Sequence, residues 1–359
     1  MILPHTSATI LALLILSAFC CGSWANTFKL AGKWRFELYY FDFAFGMLLL
    51  ALLYAFTVGN LGYDGFGFMD NAMNAGKRQW MYGVAGGIVF NFANMLLLAA
   101  ISTAGMALAI PVGLGTALIV GTILSTLSKS SGNMVFLVSG CVLVAAAVLA
   151  DIAAYRNLGR QLHEELAKAG KAASTKRPAD FKGAGLALIG GVLMGCWAPL
   201  LQKATESEIG LGPYAVSVFF GVGVVVSTFA LGMFLLNLSV DTEAIGLTDY
   251  FKASRKLHVL GLVGGGLWCT GAVAGFVAIY ANAPGATGGL PADAVPVGSA
   301  LVYAVPQAAA LIGGLFGLLA WREYKGGDFK VKALAALTLI LFAAGVAMVA
   351  LAPEFAPKL

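Results

Sequence analysis

A chain of 359 residues that is 60% hydrophobic, only 11% charged and of mean hydropathy +0.87 has too little polar surface to cover a soluble globule of its size. Its net charge of +5 implies no nucleic-acid partner, because the basic residues fall between apolar runs, where lipid head groups and topology account for them. The five cysteines (Cys20, Cys21, Cys141, Cys196, Cys269) sit inside apolar stretches with no C-x-x-C pairing to His, so metal, cofactor and redox chemistry have no motif to rest on.

A hydrocarbon core of about 30 Å is crossed by about 20 apolar residues in a helix. Ten such segments are predicted, approximately Thr9 to Phe28, Phe36 to Thr57, Trp80 to Ile101, Ala104 to Leu124, Asn133 to Ala153, Gly183 to Leu201, Tyr214 to Leu236, Val259 to Tyr280, Val295 to Ala320 and Ala333 to Leu351. The first resembles a signal peptide in its apolar stretch, Ala8 to Ala18. It lacks a basic residue in front and stays apolar through Phe28, so it is expected to remain as a span.

The longest charged interval, Arg156 to Lys182, divides the chain at 154–182 into five-span halves, 1–153 and 183–359. Within it, Arg156 to Ala169 suits a short amphipathic helix on anionic lipid, and Gly170 to Pro178 reads as linker. The connections after spans one, five, seven and nine hold 17 of the 22 Lys and Arg residues. Basic residues beside spans stay on the cytoplasmic face, which places both termini outside the cytoplasm.

The halves repeat. CGSWANTFK at Cys21 to Lys29 echoes MGCWAPLLQK at Met194 to Lys203, with Gly22/Trp24 and Gly195/Trp197 both offset by 173. GVAGG at Gly83 to Gly87 matches GLVGG at Gly261 to Gly265, and the fourth and ninth spans share AIP and AVP, ending in Pro111 and Pro306. Five is an odd number, so the second half enters the membrane in the opposite sense. Ten helices in two inverted five-helix repeats is the architecture of alternating-access carriers.

Rows of small residues, Gly183/Ala187/Gly191/Gly195 and Gly313/Gly317, suit close helix packing. The central interval offers only Ala169-Gly170-Lys171-Ala172 where a phosphate-binding loop would need an earlier Gly and a hydroxyl, so ATP-driven transport is not expected.

Asn91 and Asn94 share one face of the third span, and a polar amide at bilayer depth must face protein or a water-filled cavity. They either bond neighbouring helices or recognise a polar solute, and Gln307, after Pro306, poses the same choice. Pro111 and Pro306 each free a backbone carbonyl inside a span and are candidates to line a cavity. Asp42, in RFELYYFDFAFG, enters an apolar run by about two turns; it is either a proton-relay carboxyl or an interfacial group beside Tyr39, Tyr40 and Phe41. Asp151 is expected to be interfacial, near Arg156. None of His5, His163 and His258 lies deep in a span. Trp24 and Trp197 belong either to the aromatic belts or to a stacking site for a flat solute.

Gly22-Ser23-Trp24, Tyr40-Phe41-Asp42-Phe43 and the stretch AGGIVFNFANMLLLAAISTAGMALAIPVGLGTALIVGT from Ala85 to Thr122 resemble the drug/metabolite transporter superfamily. Within it they are most similar to the ureide permeases and their bacterial relatives, with the sugar-transport branch, including L-rhamnose/proton symporters, nearby. The likeness covers the first half well and the second loosely. It implies proton-coupled (or Na⁺-coupled) uptake of a small polar solute, a nucleobase- or ureide-like heterocycle or a sugar. The nucleotide-binding motif described for the central loop of plant ureide permeases is missing from this sequence.

The alternative within the superfamily is a drug or metabolite exporter, but small multidrug carriers use a buried Glu in the first span, and Thr9 to Phe28 has no acidic residue. A membrane enzyme would require a His, Asp or Glu constellation at a membrane face, and these charges are loop charges. The expectation is therefore a carrier in the plasma membrane, of the bacterial inner-membrane kind, working with solute, coupling ion and lipid, as a monomer or homodimer. Its candidate contacts are Trp24, Asn91, Asn94, Trp197 and Gln307 for solute and Asp42 for the proton, with Pro111 and Pro306 at helix breaks.

Overall fold

The computed structural model describes residues 1–128, 132–168, 181–206, 210–237, 246–283, 286, 288–291 and 293–356. The described chain is all-helical. Ten of its helices are long and apolar enough to cross a membrane: α1 (Ser7–Leu30), α2 (Phe36–Leu61), α3 (Lys77–Ala104), α4 (Met106–Ser128), α5 (Met134–Lys168), α6 (Phe181–Thr205), α7 (Pro213–Leu236), α8 (Arg255–Asn282), α9 (Ser299–Ala320) and α10 (Phe329–Leu351). A bilayer offers the backbone no hydrogen-bonding partner, so every N–H and C=O of a span must be met inside the helix.

Large apolar side chains such as Leu49, Phe56, Leu149, Ile189, Val226 and Ile340 face outward, as lipid requires. The Gly170 to Pro178 linker lies outside the described residues. Arg156 to Lys168 is not a separate amphipathic helix but the continuation of α5, 35 residues without a break.

The helices group into two compact units, Met1–Met95 with Cys196–Ala309, and Leu96–Gly195 with Ala310–Leu359. The division falls inside α3, α6 and α9. It is a different partition from the two sequence halves, since each unit takes segments from both.

In the first unit, α2 packs against α7 and α8, and α1 against α8. The connection before α7 is pinned by a short helix, Phe68–Asn74. Asn71 donates to the Gly210 carbonyl (3.0 Å) and accepts from the Gly212 amide (2.8 Å).

In the second unit, α5 packs against α10 and α4. The small-residue row of α6 does what its spacing predicts. A Cβ at Gly195 would lie 2.6 Å from that of Val120, and one at Gly191 2.6 Å from that of Thr116, so the glycines let α6 seat on α4.

The α3–α4 junction turns at Gly105, whose φ of +89° is a left-handed conformation that favours glycine. Directly after it, the Glu323 carboxylate accepts from Met106 N (3.0 Å) and Ala107 N (2.7 Å). A side chain distant in sequence thereby caps the N-terminus of α4, where orphan amides and the helix dipole favour negative charge. A Cβ on Gly105 would meet that carboxyl carbon at 2.7 Å.

Candidate functional site

The first unit gathers Trp24, Asp42, Asn91, Asn94 and Trp197, with aromatic neighbours the sequence did not single out. Asp42 lies six residues into α2 with its side chain only 6% exposed. Tyr39 and Tyr40 are fully buried and Phe41 nearly so. The aromatic run is helix-packing core rather than an interfacial belt, and Asp42 is inside protein.

Both Asp42 oxygens are taken. Tyr250, from a short helix Thr248–Lys252 before α8, donates its hydroxyl to Oδ1 at 2.6 Å. His258 Nδ1, in the first turn of α8, lies 2.8 Å from Oδ2. Burial, followed by the hydrogen bond to Asp42 and the charge there, pushes the Tyr250 phenol above its ordinary value, so it remains a donor at physiological pH. Trp34 closes the cluster, edge-on to His258 (5.3 Å between centroids) and stacked with Tyr250 (6.5 Å).

Close approach of α2 and α8 makes this contact possible. A Cβ at Gly261 would fall 2.5 Å from that of Asp42, so only a residue without a side chain lets the helices meet there.

Asn91 and Asn94 are buried, at 0% and 1% exposed. Asn91 donates Nδ2 to Ser227 Oγ (2.8 Å) and accepts at Oδ1 from Thr228 Oγ1 (3.2 Å), which ties α3 to α7. Asn94 donates Nδ2 to the Tyr40 hydroxyl (3.1 Å) on α2. In this conformation both amides bond neighbouring helices.

Trp24, 4% exposed, packs on Phe43 with centroids 4.9 Å apart, so it is not a lipid-facing belt residue. Trp197 is half-buried at the edge of an aromatic group, 5.9 Å from Phe90 and 5.5 Å from Phe220, and Trp268 joins both at 4.3 and 5.6 Å. Trp268, His258, Tyr250, Ser227 and Thr228 are the members that the sequence reading missed.

Pro306 and Gln307 are half-buried in the first-unit part of α9. Pro111 is buried in α4, in the second unit, where it packs near Gly314. Asp151 is enclosed by protein rather than open to water. It is 2% exposed in the middle of α5 and accepts from the Tyr324 hydroxyl at 3.0 Å.

A groove of about 480 Å³ in the first unit lies elsewhere, lined by residues of α1, α2 and α8 such as Leu13, Tyr54 and Val273. No group of three or more His, Cys, Asp or Glu among the described residues could hold a metal ion.

No family model matches the chain. A solved crystal structure covers 95% of this chain and 96% of its own length with a TM-score of 0.49 and 14% identity. Ureide permease 4 of Arabidopsis thaliana is 24% identical over 406 aligned positions, which span 97% of this chain and 98% of that protein. The chain is thus a multi-pass helical membrane protein whose sequence is similar to a ureide permease along nearly its whole length.

Proposed function

We propose that the chain is a secondary transporter that imports a small polar solute, a nucleobase- or ureide-like heterocycle before a sugar, coupled to protons. The end-to-end similarity to a ureide permease carries this reading. Uracil and allantoin present adjacent amide donors and acceptors, which buried Asn side chains are equipped to pair, and flat faces that Trp24 and Trp197 are equipped to stack.

Asp42 and His258 form the proton-handling pair. A carboxylate 2.8 Å from an imidazole inside a low-dielectric helix packing can hold one proton between them and release it when the helices part. Substrate and proton bind between the inverted repeats, whose rocking exposes the site to each side alternately. The carrier sits in the plasma membrane with both termini outside the cytoplasm.

Uptake of labelled uracil, allantoin and rhamnose into proteoliposomes under an imposed pH gradient tests the reading. Accumulation of one of them supports it, and failure of all three, with or without Na⁺, overturns it. Asp42→Asn is expected to abolish pH-driven accumulation while sparing exchange between equal pools, since exchange needs no net proton movement. Intact accumulation in that variant would remove Asp42 from coupling. A fluorescent fusion at Leu359 that matures only in the cytoplasm should stay dark, and fluorescence would reverse the topology.

A further inference from the structure

Asp151 is a buried carboxyl for which no part of the proposed transport cycle gives a use. It is 2% exposed, in α5, within the second unit. Its Oδ1 accepts from the Tyr324 hydroxyl at 3.0 Å, and its Oδ2 is buried with no hydrogen-bond partner among the described residues. Tyr324 itself packs with Ala107, Ala154, Leu158, Val331 and Ala335, an apolar cluster.

We propose that Asp151 is a proton-binding site separate from Asp42, holding a proton on Oδ2 in this conformation while Oδ1 accepts from Tyr324. The inference is independent of whether the chain carries a solute.

The charges around it leave no other way to neutralise the carboxylate. The helices packed against α5 are α10 and α4. From Met106 to Ser128, α4 has no titratable side chain, and α10 brings only Lys330 and Lys332, in its first turn. The α9–α10 connection brings Arg322, Glu323, Tyr324, Lys325 and Asp328, and α5 itself brings Tyr155, Arg156 and Arg160 nearby. Among the described residues none of the basic groups forms an ion pair with Asp151. The Arg156 guanidinium lies over the Phe181 ring, at 5.1 Å.

The nearby acid on the same connection as Tyr324, Glu323, has both oxygens on the amides that start α4. An isolated buried carboxylate costs far more than a neutral carboxyl with one unmet polar atom, so the group takes up a proton. A bound Na⁺ would need several oxygen ligands, and among the described residues the side-chain oxygen bonded to Asp151 is the Tyr324 hydroxyl. The proton comes from water, adds to Oδ2 and leaves the Tyr324 bond on Oδ1 in place.

Infrared titration of the purified full-length protein in lipid tests this. A protonated-carboxyl C=O band is expected at neutral pH, retained in Asp42→Asn and lost in Asp151→Asn. The Asn variant should otherwise fold as the parent does, because its amide oxygen still accepts from Tyr324. Tyr324→Phe removes a hydrogen bond that favours the charged form, so the midpoint of the band should move up by about one pH unit, roughly tenfold in proton affinity. This second variant decides the matter if Asp151→Asn does not accumulate. Absence of the band at neutral pH, a midpoint that Tyr324→Phe does not move, or a band that responds to Na⁺ at fixed pH would each overturn the assignment.

Discussion

Replacing Asn91 with Leu separates a helix-bonding amide from a solute-binding one, because the structure limits what the first role can be worth. Asn91 makes two side-chain hydrogen bonds, to Ser227 and from Thr228. Neither hydroxyl depends on it for a donor site: Ser227 Oγ lies 2.7 Å from the Gly223 carbonyl and Thr228 Oγ1 2.7 Å from the Val224 carbonyl, both one turn back on α7. Each hydroxyl has one hydrogen, and a backbone carbonyl is waiting for it.

Side-chain hydrogen bonds between membrane helices average about 0.6 kcal/mol, so losing two costs about 1.2 kcal/mol, with little added for stranded partners. Leu keeps the approximate volume. The Asn91→Leu protein should therefore reach the membrane and unfold only a few degrees below the parent. If the amide pairs with solute during transport, its loss removes on the order of 1 to 3 kcal/mol of binding, a roughly 5- to 150-fold weaker apparent affinity. Thermal unfolding in detergent and concentration-dependent uptake measure the two effects side by side. Normal transport by a stable, abundant variant would refute the solute role, and a destabilisation well beyond 3 kcal/mol would refute the accounting of the helix contacts.

Gly261→Ala should push α2 and α8 apart at Asp42, costing about 1 to 3 kcal/mol as overpacking does and lowering the yield of monodisperse protein in size-exclusion chromatography; an unchanged profile would show that the contact yields readily. Tyr250→Phe removes the 2.6 Å donor to Asp42 and should lower thermal stability by about 1 to 2 kcal/mol, an effect that should vanish in an Asp42→Leu background, where there is no acceptor to lose. Glu323→Gln retains one acceptor for the α4 amides but loses the charge and the second acceptor, so unfolding should occur earlier by about 1 kcal/mol, with the loss shrinking in high salt.

The spans were legible because a bilayer demands long apolar runs, and Asn91, Asn94 and Asp42 stood out as polar groups within them. Their partners did not. His258 sits in RKLHVL, between basic residues and the apolar body of α8, where it looks like one more loop charge; only the close approach at Gly261 brings it to Asp42. Tyr250 reaches the same carboxylate from a five-residue helix in a connection.

Asp151 looked interfacial because Arg156 follows it by five residues, but α5 continues through Lys168, so the apolar run ends before the packed helix does. Trp268 was hidden for the opposite reason, in a span so uniformly apolar and Gly-rich that one more aromatic carried no signal.

The length of α5 has a mechanical consequence. At 1.5 Å per residue, 35 residues extend about 52 Å, some 20 Å more than a hydrocarbon core is thick. Part of this excess is keyed to its neighbours: Leu158 packs with Tyr324, Val331 and Ala335, and Gln161 Oε1 accepts from Asp328 N at 3.1 Å. Beyond Gln161 the side chains from Leu162 to Lys168 are mostly exposed. A helix in this arrangement behaves like a keyed shaft, on which angular phase matters more than length. One residue inserted between Asp151 and Leu158 rotates everything after it by about 100°, turning Leu158 and Gln161 away from their seats.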